Sequence, residues 1–248
     1  MLQIFERKFC LYCQKEIRPL ITWESLFLGP EEPLLCEQCT AKLERIEGKT
    51  CRICGRPFSK IDDSFKKGDI CLDCYRWEEN AAWRGVLTRN ISLYMYNDFL
   101  KDVLARYKYR GDYELVRIFV PEFNRTIARI EYDFLVPIPL SAERLYERGF
   151  NQTEALIQEA GRDAHPLLKR IHSEKQAKKS RSERIQRPNV FTLNDTDEEK
   201  KAALSEIEGK TILLIDDIYT TGTTLRQAAT VLRQAGAGKV LSLTIARG

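Results

Sequence analysis

After Cys74 this chain of 248 residues contains no cysteine. Its long C-terminal part can therefore build neither a disulfide nor a thiolate metal site. Histidine is nearly missing too. His165 and His172 are the only two, neither has a partner at metal-ligand spacing, and both are expected on the surface. No apolar run approaches the roughly 20 residues of a membrane-spanning helix. The cluster from Ile212 to Ile215 has the length of a buried strand. The start, MLQIFERKFCLYC, lacks the apolar core of a signal peptide and carries Glu6, Arg7 and Lys8, so the cytoplasm is the expected compartment. A formal charge of only +4 excludes a histone-like polycation and makes the distribution of charge more informative than its sum.

What the chain does have is eight cysteines in four Cys-x2-Cys pairs: Cys10/Cys13, Cys36/Cys39, Cys51/Cys54 and Cys71/Cys74. Two residues between thiols let both sulfurs of a tight turn face one ion, and zinc takes four such ligands in a tetrahedron. Four pairs predict two structural Zn2+ sites. Disulfides would need an oxidising compartment. A redox Cys-x2-Cys normally occurs once, beside a βαβ pattern. Gly55 after Cys54, and Pro57, suit a metal knuckle. Pairing in sequence, first with second and third with fourth, encloses intervals of zinc-ribbon length; interleaved pairing, as in cross-braced fingers, is the alternative. A region this small is marginal without metal, so chelation is expected to unfold it and spare the rest.

Organisation changes after Tyr75. Residues 1–80 read as the cysteine-rich region and 85–248 as a second domain of ordinary size. Within the first, Trp23 to Gly29 forms an apolar helix or strand. In the second, Ile91 to Tyr96 predicts a strand, and Asp98 caps a helix through Leu100, Val103, Leu104 and Tyr107. A further helix is expected from Tyr113 to Ile130, bent at Pro121. DFLVPIPLS reads as a strand, Ser141 and Asn151 as caps of two helices, and Pro166 to Ile171 as a short strand. Residues 172–188 are too polar to be buried, and Asn194 to Glu199 is an acidic loop. KTILLIDD is a buried strand, TTGTTLRQAATVLRQAG a helix ending at Gly236, and Val240 to Ala246 a last strand. Strands alternating with helices predict an α/β fold, a doubly wound, mostly parallel sheet.

The most specific segment is ILLIDDIYTTGTTL, Ile212 to Leu225. It sets Asp216 and Asp217 at the carboxyl end of a central strand, the edge where open α/β sheets bind ligands. Thr220, Thr221, Gly222, Thr223 and Thr224 then make a small-residue turn whose amides open a helix, which is an anion cradle. Carboxylates beside it make sense as acceptors of hydrogen bonds from sugar hydroxyls attached to the phosphate. This segment resembles the 5-phosphoribosyl-1-pyrophosphate (PRPP) signature of type I phosphoribosyltransferases. There the acidic pair contacts the ribose 2′- and 3′-hydroxyls and the loop holds the 5′-phosphate.

Together with the knuckles, the segments YKYRGD (Tyr107 to Asp112), LVPIPLS (Leu135 to Ser141), ERGFNQ (Glu147 to Gln152) and EKQAKKSRSER (Glu174 to Arg184) are similar to the ComF family of late competence proteins over essentially the whole chain. The resemblance implies a type I phosphoribosyltransferase-like domain behind a small four-cysteine zinc-ribbon region. It makes Val136 to Leu140 a pyrophosphate loop and Lys175 to Asn189 a hood closing over the ligand. Arg148, Asn151, Gln152, Lys175, Gln176 and Arg184 would line the cleft. One departure concerns Thr220, where purine enzymes of this fold often carry an Asp; a hydroxyl cannot serve there as a general base.

The resemblance further implies a cytoplasmic factor handling single-stranded DNA, in contact with the ComF helicase and other competence proteins, at the inner face of the membrane through those partners and without membrane insertion. Lys175, Lys178, Lys179, Arg181 and Arg184 would meet DNA phosphates, and Trp77, Trp83, Tyr107 and Tyr109 are candidate base stackers. The alternatives are a PRPP-dependent glycosyltransferase with Mg2+, in which Asp216 and Asp217 are catalytic, and a non-catalytic PRPP sensor.

Overall fold

The computed structural model describes residues 8–17, 33–109, 111–171 and 189–248. In chain order the strands are β1 (Lys8–Phe9), β2 (Glu16–Ile17), β3 (Lys66–Lys67), β4 (Ile70–Cys71), β5 (Arg89–Met95), β6 (Phe134–Pro137), β7 (Leu168–Arg170), β8 (Phe191–Leu193), β9 (Thr211–Tyr219) and β10 (Lys239–Arg247). The α-helices are α1 (Glu37–Thr40), α2 (Leu72–Glu79), α3 (Asp98–Tyr109), α4 (Val120–Ile127), α5 (Ala142–Arg148), α6 (Gln152–Glu159), α7 (Glu198–Ser205) and α8 (Thr223–Gln234). Among these residues no helix is long and apolar enough to cross a membrane.

The central sheet has the order β5-β10-β9-β6, and all three pairings are parallel. Parallel strands need crossovers, and here helices supply them on both faces. Strand alternation divides the core accordingly. Leu213, Ile215, Leu243 and Ile245 pack with Leu100, Val103, Leu104, Phe123 and Leu156 of α3, α4 and α6. Ile212, Leu214 and Val240 pack with Leu225, Ala228, Ala229 and Leu232 of α8. The sheet is doubly wound, as the alternation of elements predicted.

The cysteine pairs lie on both sides of this sheet. Cys10, Leu35 and Cys39 belong to the α3 face, where Tyr12 donates to Asp102 at 2.8 Å and Arg106 stacks on the Tyr12 ring at 4.3 Å. Met95 at the edge strand β5 donates its N–H to the Glu44 carbonyl, so the free edge is partly covered. Cys51, Cys54, Cys71 and Cys74 lie in the α8 cluster. Beneath them Asn90, Ser92, Ser242 and Thr244 form a buried ladder: Asn90 donates to Ser92 at 2.9 Å and to the Cys54 carbonyl at 3.3 Å, and Ser242 donates to Asn90 at 2.8 Å. Each buried polar group there is answered by another, as burial requires.

Several local expectations shift. The cap of α3 is Asn97, whose Oδ1 accepts the Leu100 N–H at 2.9 Å; Asp98 is the first helical residue. Residues Tyr113–Ile118 form a 3-10 turn, and Pro121 falls in the first turn of α4, where its missing N–H costs nothing. Ser141 and Asn151 cap α5 and α6 as expected. The acidic loop ends at Asp197, which caps α7. His165 is half-buried, edge-on to Phe134 at 5.1 Å, rather than a surface residue. The segment from Trp23 to Gly29, Arg110 and His172 lie outside the described residues.

Candidate functional site

Each cysteine quartet is built from one knuckle and one helix start. In both knuckles the residue after the second cysteine turns left-handed: Gln14 at φ 59° and Gly55 at φ 68°. A side chain at position 55 would also stand 3.0 Å from the Asn90 carbonyl oxygen. Cys36 and Cys71 precede α1 and α2, and Cys39 and Cys74 lie inside them. The ligand atoms of Cys10, Cys13, Cys36 and Cys39 lie within 4.8 Å of one another, and so do those of Cys51, Cys54, Cys71 and Cys74. Pairing in sequence is therefore the arrangement present. Four mutually facing sulfurs could hold a thiophilic metal ion, and the donor set is consistent with zinc. Cys71 also donates its N–H to Cys51 Sγ at 3.2 Å, the kind of outer bond that orients a ligand sulfur.

The loop after β9 is held from behind. The Tyr219 carbonyl accepts the Gly248 N–H at 3.0 Å and Arg247 Nη1 at 3.1 Å. Arg247 reaches the Thr220 carbonyl at 3.2 Å, and Trp77 Nε1 reaches the Thr221 carbonyl at 3.2 Å. Among the described residues no peptide bond is cis, so each following N–H points opposite to its carbonyl. The amides of Thr220, Thr221 and Gly222 thus face away from Arg247 and Trp77, toward the mouth of the loop. Gly222 precedes α8 at φ 79°. A Cβ there would lie 2.2 Å from the Tyr219 hydroxyl and 2.4 Å from Arg226 Nη1, so only glycine fits. The hydroxyls of Thr221 and Thr223 are 2.9 Å apart. The result is a helix N-terminus fronted by hydroxyls and oriented amides, which suits an anion.

Asp216 and Asp217 lie near the carboxyl end of β9, before this loop. Asp217 pairs with Lys108 of α3, a residue of the YKYRGD segment. Burial, and then the charge of Asp217, push the Asp216 carboxyl up to about 7. Ile138, just after β6, donates its N–H to the Ile215 carbonyl at 2.9 Å, which brings the segment 136–140 alongside the acidic pair. Asn151 donates to the Ile138 carbonyl at 3.1 Å and stands buried behind that segment; Gln152 is also buried and donates to the Phe150 carbonyl at 3.1 Å. Arg148 donates to Gln152 at 2.6 Å and stacks on Tyr109 at 5.0 Å. Lys175, Gln176, Lys178, Lys179, Arg181 and Arg184 lie outside the described residues.

Among the candidate stackers Tyr107 is fully buried and donates to the Gln152 carbonyl at 2.8 Å, so it cannot take a base. Tyr109 is exposed. Trp77 and Trp83 meet edge to face at 5.3 Å in a cavity of about 890 Å3 that also borders Arg56, Arg76, Thr221 and Arg247. Two residues that sequence reasoning missed are Arg226 and Arg247, both buried and central to this region. A buried strand ending LTIARG and an arginine on the apolar side of a helix were the available signals.

A parallel sheet whose central strand ends in an acidic pair and a Thr-Gly-Thr turn defines a phosphoribosyltransferase-like protein, and the family model described as the phosphoribosyl transferase domain matches residues 168–248. The chain is 39% identical to competence protein ComFC of Bacillus subtilis (strain 168) over 242 residues, covering 96% of this chain and 94% of that one. It is 34% identical to ComFC of Streptococcus pneumoniae (strain ATCC BAA-255 / R6), covering 96% and 99%. To competence protein F of Haemophilus influenzae it is 23% identical, covering 86% and 90%. The chain belongs to the ComFC family of competence proteins.

Proposed function

We propose that this chain handles single-stranded DNA in the cytoplasm during natural transformation, gripping it beside a phosphoribosyl-type cradle. The observation that carries the reading is the cavity of about 890 Å3 shared by Trp77, Trp83, Arg76 and the rim of the 220–224 loop. Its size lies within the roughly 300–1,000 Å3 of small-molecule sites. Aromatic faces beside guanidinium groups are the chemistry that holds the bases and phosphates of a single strand. The basic run from Lys175 to Arg184 adds an electrostatic funnel. Zinc fills both quartets as a structural ion in this reading. Family membership supports a role alongside the ComF helicase and other competence proteins, which would bring the chain to the inner face of the membrane.

The acidic pair favours a second ligand on the same loop. Asp216 and Asp217 suit ribose hydroxyls, and Mg2+ would accompany PRPP there and neutralise its pyrophosphate. That ligand would serve a glycosyltransferase or a PRPP sensor equally well. Thr220 supplies no general base, so the DNA reading stands first. Fluorescence anisotropy of a labelled oligothymidylate at low salt tests it, with Mg-PRPP added as competitor. Binding is expected, as is competition. Trp83→Ala should lose about 1–3 kcal/mol of DNA affinity, the worth of one stacked base. Absence of single-strand binding would hand the site to the enzyme or sensor reading.

A further inference from the structure

Arg226 and Arg247 are 0% and 1% exposed, and arginine is almost never buried unless its charge is answered. Nearby carboxylates do not answer it. Among the described residues neither arginine forms an ion pair with Asp or Glu; their acceptors are sulfur, a phenol and backbone carbonyls. Arg247 Nη2 lies 3.5 Å from Cys54 Sγ, while its Nη1 holds the Tyr219 and Thr220 carbonyls. Arg226 Nη2 lies 4.0 Å from Cys74 Sγ, while its Nη1 donates to the Tyr219 hydroxyl at 2.7 Å. Each guanidinium therefore has one arm on the second quartet and the other on the segment that shapes the loop. A tetrathiolate around one divalent ion carries a net charge of about −2, which two guanidinium groups offset.

We infer that Arg226 and Arg247 are positioning residues through which a metal ion in the Cys51/Cys54/Cys71/Cys74 quartet sets the geometry of the anion-binding loop 219–224. The ion draws the sulfurs together, and the charge of the closed quartet fixes both forks. The forks fix the Tyr219 ring and the carbonyls of Tyr219 and Thr220. Those carbonyls orient the amides that face the ligand. Trp77, inside the helix that carries Cys74, completes the arrangement through its bond to the Thr221 carbonyl and its ring under Arg226 at 4.7 Å. The first quartet touches none of these groups. Its neighbours are Tyr12, Asp102 and Arg106 on the other face of the sheet. Loss of metal from the second quartet would thus loosen the loop, and loss from the first would not. The inference rests on the reading of this loop as an anion cradle, though its structural half is measurable without a ligand.

The test uses the full chain and the variants Arg247→Lys and Arg226→Lys. Lysine keeps the charge but has one nitrogen in place of the fork, so it cannot occupy the Nη1 and Nη2 positions together. Both variants should keep two metal ions and the native circular dichroism. They should weaken ribose 5-phosphate binding by about tenfold or more, the loss expected for charged hydrogen bonds. Amides 220–224 should exchange faster in both. In the variant Cys10→Ser/Cys13→Ser, cobalt placed in the remaining quartet should change its visible absorption when ribose 5-phosphate is added, and adding Arg247→Lys should abolish that change. If the wild-type chain does not bind ribose 5-phosphate, hydrogen exchange still decides the coupling. Unchanged exchange at 220–224 in both lysine variants, or equal loosening on emptying the first quartet, would overturn the inference.

Discussion

Asp216 shows how one residue carries both a cost and a role. Its carboxyl titrates near 3.8 when free and at about 7 here, because burial and the neighbouring Asp217 oppose its charge, with Lys108 and Arg170 working the other way. The folded chain therefore binds this proton more tightly than the unfolded one. Stability from this group is complete below about pH 4, declines as pH rises, and is gone above about pH 7. Asp216→Asn removes the titration. Its melting temperature should change less than that of the wild type between pH 4 and 7, and should exceed it at pH 8, as read by thermal unfolding in matched buffers. A group kept at that disadvantage just before a ligand-binding type of loop is the usual mark of a functional site.

At the scale of the element, what could be read in sequence was whatever a few adjacent residues decide. The four knuckle pairs and the Asp-Asp-x2-Thr-Thr-Gly turn are local, and the structure brings each together. The start of α3 was misplaced by one residue because Asn and Asp cap equally well and stand side by side at 97 and 98. Asn97→Ala should cost about 1 kcal/mol of stability, whereas Asp98→Ala should lose only the weaker dipole term, about 0.3–1 kcal/mol; urea titration of both variants checks the order. Helix α7 escaped notice because its exposed Glu-Glu-Lys-Lys start has little apolar periodicity and is held by the Asp197 cap on Lys200, 2.9 Å long. The pairing of β5 with β10, that of Lys108 with Asp217 and the bond from Trp77 to Thr221 join residues more than a hundred positions apart. No window along the chain contains them. Buried arginines defeat sequence reading for another reason: composition places arginine outside, and only the sulfurs explain why two are inside.

For the molecule as a whole, the cysteine quartets do not stand apart from the sheet. The first shares an apolar cluster with α3 and α4, and the second shares one with α8 and β9. Chelation should therefore lower the stability of the entire chain and not only of the first third. Thermal unfolding followed at tyrosine and in the far ultraviolet should show one transition, shifted down by a strong chelator. Charge acts at the same scale. Replacing Lys178, Lys179 and Arg181 with Ser should weaken single-strand binding for every sequence and flatten the slope of log affinity against log salt by about two units, if each neutralises a phosphate. Titrations of mixed-sequence oligonucleotides across a salt series measure both effects.

The hydrogen bond from Trp77 to the Thr221 carbonyl also makes the loop visible to light. An indole whose ring N–H is bound to the loop and whose face lies against a guanidinium emits according to the polarity and field around it. Closing the loop on a phosphate changes both. Trp83 emits from the same cavity, so the Trp83→Phe/Trp23→Phe protein, which keeps Trp77 alone of the three tryptophans, isolates the signal. The colour of that emission should shift on addition of ribose 5-phosphate, giving the loop an optical probe that needs no label.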